Sequence, residues 1–163
     1  MIIDTDFQTP DYICDYMVSL LPDGVNTVFE PTPGQGNIVK SLEDKGYMVD
    51  YPSGDFFDHP IKKYDAIVMN PPFTPMTKGY TILYECMERS NIIIALMPWL
   101  TLINSERRTK YITNYGLHSI THLPRSVFKG SRVQTCIMKM IKGYNSSTLW
   151  KNYEKDNFSN FFS

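Results

Sequence analysis

Two short runs of uninterrupted apolar residues, Ala66-Ile67-Val68-Met69 and Ile92-Ile93-Ile94-Ala95-Leu96-Met97, constrain this chain more than any other feature. A strand with one solvated face alternates apolar and polar residues, whereas a strand with no polar position must be covered on both faces. That is the condition of parallel strands inside a layered α/β sheet. Between the runs, Ile82, Leu83, Cys86 and Met87 recur at helical spacing within 79–90, which predicts the crossover helix that two parallel strands require. The alternation extends in both directions. Ile13, Met17, Leu20 and Leu21 follow Pro10, a residue suited to a first helical turn, and predict a helix over 10–21. Residues 25–30 read as a strand, Ile38, Val39 and Leu42 as a helix that Gly46 can end, and Tyr47, Val49 and Tyr51 as a second strand. Ser105 can cap a helix running to Gly116, with Glu106 in its first turn and Tyr111, Ile112 and Tyr115 inward; strands follow near 117–123 and 133–141. The expected architecture is a doubly wound, mostly parallel α/β sheet whose ligands bind beyond the carboxyl ends of the strands.

A chain of 163 residues buries enough surface for one core without disulfide or metal staples. Residues 1–143 are read as one domain and 144–163 as a polar tail carrying Leu149, Trp150, Tyr153, Phe158, Phe161 and Phe162, aromatics expected to dock on something. The apolar runs are too short to span a bilayer, and the acidic start carries no export signal, so a soluble, cytoplasmic protein with no membrane partner is expected. Cys14, Cys86 and Cys136 are far apart in apolar stretches and read as reduced core residues. The net charge of −1 conceals a split: residues 1–77 carry −8 and residues 78–163 carry +7. A basic half of that size suits a polyanionic partner.

Two motifs fall at predicted strand ends. Glu30-Pro31-Thr32-Pro33-Gly34-Gln35-Gly36-Asn37 follows the first strand; its glycines permit a tight turn and close approach to a ligand, and Glu30 suits an ammonium better than a pyrophosphate. Asn70-Pro71-Pro72-Phe73 ends the buried strand at 66–69. Consecutive prolines stiffen the backbone, Asn70 and Pro71 offer carbonyl acceptors, and Phe73 offers an aromatic face, a set that can receive an exocyclic NH₂ while its ring stacks alongside. His118 and His122 lie on a predicted strand with no third ligand nearby, so no metal site is expected.

Taken together, Phe7-Gln8-Thr9-Pro10, Glu30 to Asn37, Gly54-Asp55-Phe56-Phe57 and Asn70 to Phe73 resemble the amino-group DNA methyltransferases that use S-adenosylmethionine. Their order matches the adenine-N6 branch, and Ile92 to Leu102 and Leu123 to Thr135 are also similar to that family. The resemblance implies a Rossmann-like methyltransferase sheet, with the second and third strand region shortened here. It implies S-adenosyl-L-methionine held by the segment Phe7, Thr9 and Pro10, by Glu30 and Pro31, by the backbone of Gly34 and Gly36, and by Asp55 and Phe56. Thr9 would hold the methionine carboxylate, Glu30 the ammonium and Asp55 the adenine amino group. A carboxylate normally ends the second strand and binds the ribose; here the stretch reads Val49-Asp50-Tyr51-Pro52-Ser53, and Asp50 is the nearest candidate.

On the substrate side the resemblance implies a catalytic set of Asn70, Pro71, Pro72 and Phe73, with Phe128 as a candidate for the other face of the base. Arg107 and Arg108, and Lys129 and Arg132 beside Phe128, are expected to contact phosphates. The expected reaction is methyl transfer to adenine N6 in DNA. RNA adenine is the nearest alternative, followed by a protein glutamine amide and by a non-catalytic module that keeps the fold and binds nucleic acid or a partner. Specific duplex readout needs an element in a groove, and little chain remains to supply one. A single-stranded substrate, self-association or a separate recognition subunit is therefore expected.

Overall fold

The two apolar runs lie in the middle of a seven-stranded sheet in the computed structural model, which describes residues 8–154. In chain order the strands are β1 (Thr27–Phe29), β2 (Met48–Asp50), β3 (Ala66–Met69), β4 (Ile92–Pro98), β5 (Leu117–His122), β6 (Thr135–Ile141) and β7 (Leu149–Asn152). The helices are α1 (Asp11–Ser19), α2 (Asn37–Asp44), α3 (Met76–Met87), the single turn α4 (Leu100–Ile103) and α5 (Glu106–Tyr115). Across the sheet the order is β2-β1-β3-β4-β6-β5-β7. The pairs β2–β1, β1–β3, β3–β4 and β5–β7 are parallel, and β6 runs antiparallel between β4 and β5. This is the mostly parallel, doubly wound sheet that the sequence leads one to expect.

Side-chain alternation divides the core into two layers. On one face Val28, Val68, Ile94 and Leu96 pack against Ile13, Met17 and Val18 of α1 and Ile38 and Leu42 of α2. On the other, Phe29, Ile67, Met69, Ile93 and Ala95 meet Ile82, Leu83 and Cys86 of α3 and Ile112 of α5. All four residues of β3 are buried because both layers close over it. A fully buried Ile or Leu of this kind contributes roughly 1.5–3 kcal/mol. Ser41 Oγ donates to Asp15 Oδ1 at 2.6 Å and ties α2 to α1 beneath the first layer. Ser105 caps α5, accepting from Arg108 N at 3.3 Å. Cys14, Cys86 and Cys136 are free and buried, and burial pushes the Cys14 and Cys136 thiols up to about 12.

Local details differ from the sequence reading. Pro10 stands just outside α1 as its N-cap, with ψ 150° outside the helical range, its carbonyl accepting from Ile13 and Cys14 at 3.0 Å. α3 begins at Met76, earlier than its apolar stripe, since its first turn carries the exposed Thr77 and Lys78 and has no periodic signal. The region between β2 and β3 is short, as the sequence reading expects, and holds only the 3₁₀ turn Phe56–Asp58. The stretch after Gly143 contributes β7, which pairs with β5 in register Ile120 to Trp150. Tyr153 then packs edge-on against Tyr16 with centroids 5.2 Å apart. The described part of the tail therefore docks on its own sheet; Phe158, Phe161 and Phe162 lie outside the described residues, as does Phe7.

Candidate functional site

The chain leaves β1 for β2 on one side and returns to β3 on the other, so the loops after β1 and β3 diverge at their carboxyl ends. Such a switch point leaves a crevice. A cavity of about 670 Å³ occupies it, lined by the segments that follow β1, β2 and β3, by Gln8 and Thr9, by Lys78 and Ile82 of α3, and by the arch from Phe128 to Thr135.

Glu30 follows β1 directly, its N–H donating to Asp50 O at 3.0 Å. Its side chain lies in the cavity wall and is only 1% exposed. The carboxylate accepts from Thr32 N at 2.7 Å and from the Thr32 hydroxyl at 3.4 Å. Desolvation outweighs these bonds and raises the Glu30 carboxyl to about 8. The chain next turns through Gly34 and Gly36, at φ +55° and +89°, where a side chain would be strained. Gly36 N donates to Pro33 O at 2.7 Å and α2 starts at the next residue. Gln8 and Thr9 lie across this turn: Gln8 Oε1 accepts from Gln35 N at 3.4 Å, and Thr9 O accepts from Asn37 Nδ2 at 2.9 Å.

Asn70 ends β3, and its Nδ2 donates to Thr9 Oγ1 at 2.7 Å. Thr32 Oγ1 reaches the Asn70 main-chain oxygen at 3.4 Å, joining the loops after β1 and β3. With Nδ2 engaged, the Asn70 amide presents its oxygen as the acceptor. Pro71, Pro72 and Phe73 continue the wall, and Phe128 joins Phe73 in both the wall and the adjoining apolar cluster. Gly79 lets α3 press on this loop: a Cβ there would stand 2.9 Å from Pro72 O.

On the β2 side, Asp55 caps the 3₁₀ turn by accepting from Phe57 N at 2.8 Å, and its residue also lines the cavity. Phe56 is 4% exposed and lines the same wall, while the Arg89 guanidinium lies 4.4 Å from its ring centroid on the core side. Asp50 stands outside the lining. Its Oδ2 accepts from Tyr64 OH at 2.5 Å and lies 3.5 Å from His59 Nε2, and the Tyr64 bond holds its carboxyl below the usual range. After β2 the cavity wall is made by Pro52, Ser53, Gly54, Asp55 and Phe56.

The cavity brings together Thr9, Glu30, Pro31, Gly34, Asp55, Phe56, Asn70, Pro71, Pro72, Phe73, Phe128 and Arg132. Pro10, Gly36 and Lys129 adjoin it without lining it. Arg107 and Arg108 start α5 beyond the end of β4, with Arg107 exposed and Arg108 lying 4.3 Å over the Tyr80 ring. The sequence assigned no role to Asn37, Lys78, Ser131 or Thr135. Asn37 had one available signal, its place directly after the glycine turn; Lys78 lies in a stretch with no motif, and within Leu123 to Thr135 the resemblance singled out neither Ser131 nor Thr135.

No family model matches this chain, and no curated protein matches it. Solved structures do. A putative class I S-adenosylmethionine-dependent methyltransferase from Listeria monocytogenes superposes with TM-score 0.72 at 16% identity, covering 93% of this chain and 67% of that one. A modification subunit of a putative type I restriction enzyme from Vibrio vulnificus gives TM-score 0.71 at 15% identity over 93% of this chain, which spans 48% of that subunit. The 23S rRNA methyltransferase ErmE gives TM-score 0.59 at 15% identity, covering 83% of this chain and 69% of that one. The fold is that of the Rossmann-like S-adenosylmethionine-dependent methyltransferases.

Proposed function

We propose that the protein transfers a methyl group from S-adenosylmethionine to N6 of adenine in DNA. The observation that carries this reading is the Asn70 amide, fixed through Thr9 at the end of a buried strand and facing a cavity that Phe73 and Phe128 also line. A carbonyl acceptor beside aromatic faces matches an exocyclic NH₂ on a flat ring.

The residues fit the cofactor. Glu30 is a buried carboxylate left short of compensation, which an ammonium group would supply. The Thr9 hydroxyl accepts from Asn70 and keeps its own proton to donate to a carboxylate. Phe56 offers a ring face, and Asp55 has a second carboxylate oxygen beyond the one that caps the turn. A volume of about 670 Å³ is within the usual range for a nucleoside-sized ligand site. Bound S-adenosylmethionine supplies an electrophilic sulfonium methyl.

The chain's own residues then have mainly a positioning task. Adenine N6 is a poor nucleophile because its lone pair is delocalised into the ring. Hydrogen bonds from the NH₂ to the Asn70 side chain and the Pro71 carbonyl favour a pyramidal nitrogen and aim its lone pair into the cavity. Stacking against Phe73 and Phe128 offsets part of the few kcal/mol needed to take a base out of a duplex. Methylation acidifies the nitrogen, so no dedicated base is needed. Arg107, Arg108, Lys129 and Arg132 would contact phosphates, and recognition of a particular sequence would come from self-association or a separate subunit. RNA is the second reading, supported by the likeness to the 23S rRNA methyltransferase and by the shortness of the Thr74-Pro75 link between Phe73 and α3.

Calorimetric titration with S-adenosylmethionine, then tritiated-methyl transfer to DNA, RNA and protein pools, tests the reading. Binding and transfer to DNA are expected, with Asn70→Ala losing transfer while retaining most cofactor affinity. Absence of cofactor binding would return the chain to a non-catalytic role, and label in the protein pool alone would assign a glutamine amide.

A further inference from the structure

Trp99, just past the carboxyl end of β4, and Trp150 of β7 form a stacked pair, ring centroids 5.0 Å apart and planes 27° from parallel. Trp99 directly follows β4, whose last residue, Pro98, pairs with Thr135 of the cavity wall. Its N–H donates to Gln134 O at 2.9 Å, and its indole Nε1 donates to His122 Nδ1 at 3.0 Å. The first ring is therefore fixed both to the arch that borders the cavity and to the end of β5. Trp150 comes from β7, three strands away, roughly 14 Å at the usual ~4.8 Å spacing. It is 63% exposed even with one face covered by Trp99.

An exposed tryptophan held in a stacked pair presents a rigid aromatic face to a ligand. Its partner Trp99 directly follows the strand end that borders the cavity, and both lie in the half of the chain that carries +7, with Arg132 in the cavity wall and Arg125, Lys129 and Arg107 exposed in the segments that follow β4 and β5. A rigid aromatic face beside cations that can follow a phosphate backbone is the chemistry of base stacking without sequence readout. Bases inside a duplex are already stacked on each other and do not offer their faces.

We infer that the Trp99–Trp150 pair is a stacking platform for an unpaired base of the strand whose target base enters the cavity, so that the preferred substrate is single-stranded nucleic acid. This rests on the reading of the cavity as a base pocket, and it narrows the substrate to a strand form that the reading alone leaves open. The exposed Leu100 and Ile103 belong to α4, the single turn that follows Trp99, and would border the platform.

The test uses the full chain and fluorescence anisotropy with labelled mixed-sequence 20-mers: single-stranded DNA, single-stranded RNA and blunt duplex DNA. Single strands are expected to bind at least tenfold more tightly than duplex, and the DNA and RNA arms separate the two sources of the same chemistry. Trp150→Ala should weaken single-strand binding about tenfold, the scale of one lost stacking contact. Duplex binding and the calorimetric response to S-adenosylmethionine should not move. Trp150→Phe, which keeps an aromatic face, should recover most of the affinity and guards against a folding defect. Duplex binding as tight as single-strand binding, or an unchanged Trp150→Ala, overturns the inference. So does a Trp150-dependent dimer in sedimentation velocity with nucleic-acid affinity intact, which would assign the surface to a second copy. Loss of the S-adenosylmethionine response in wild type would strike the enzyme reading and leave the platform result standing.

Discussion

Asn70 Nδ2 donates to Thr9 Oγ1 at 2.7 Å, joining the end of β3 to the segment that enters α1 across 61 positions of sequence. With Nδ2 held by Thr9, the side-chain oxygen is the end of the Asn70 amide left to accept from a ligand. Were the amide reversed, its NH₂ would meet the NH₂ of a bound base, donor against donor.

Thr9→Val keeps the shape and removes the acceptor. Methyl transfer at saturating cofactor should fall about tenfold, the scale of one orienting hydrogen bond. Thr9→Ser should retain most of the rate. Steady-state transfer assays on both variants, with kcat and KM separated, check this.

Glu30 gives the protein a pH signature. Its carboxyl is raised from an ordinary 4.5 to about 8 by burial, so the folded state holds this proton more tightly than the unfolded chain does. The resulting stability is complete below about pH 4.5 and declines as pH rises through about 8. Cofactor binding has the opposite dependence, because an ammonium pairs with the ionised form. Melting curves from pH 5 to 9 without ligand should show a fall that Glu30→Gln flattens. Calorimetry near pH 7 in buffers of different ionisation enthalpy should register proton release on cofactor binding in wild type.

Gly79→Ala places a Cβ 2.9 Å from Pro72 O, and a main-chain oxygen in a double-proline segment cannot yield easily. Overpacking of this kind costs about 1–3 kcal/mol. The melting temperature should drop, and transfer should fall by more than the loss of folded protein explains, since the displaced loop carries Asn70 and Pro71. Activity per folded molecule, with folded fraction from circular dichroism, separates the two.

Arg107→Ala and Arg108→Ala report on phosphate contact. Each contact removed should lower the slope of log affinity against log salt by about 0.7–0.9. Arg107 is exposed and should act through charge alone, whereas Arg108 also covers the Tyr80 ring and its loss should additionally lower thermal stability. Unchanged slopes would make both residues part of a solvated face.

The sequence by itself determined the order of the main elements from α1 to β6, because covalent spacing sets it: two polar-free runs with a helical stripe between them have few partners other than a doubly covered parallel sheet. It also located the strand-end motifs, since Glu30 and Asn70 follow β1 and β3 at once. Tertiary structure decided what those motifs meet. Nothing local to Thr9 says that its hydroxyl takes the Asn70 amide, nor that Asp50 turns to Tyr64 and His59 and leaves the cavity wall, because both depend on loops brought together from distant positions. β7 was equally hidden: Leu149-Trp150-Lys151-Asn152 lies in a polar stretch with no run or period to mark it, and it becomes a strand where the free edge of β5 offers hydrogen bonds and Trp99 offers a ring. Periodicity records which face of an element is buried, but a contact between two loops leaves no period in either.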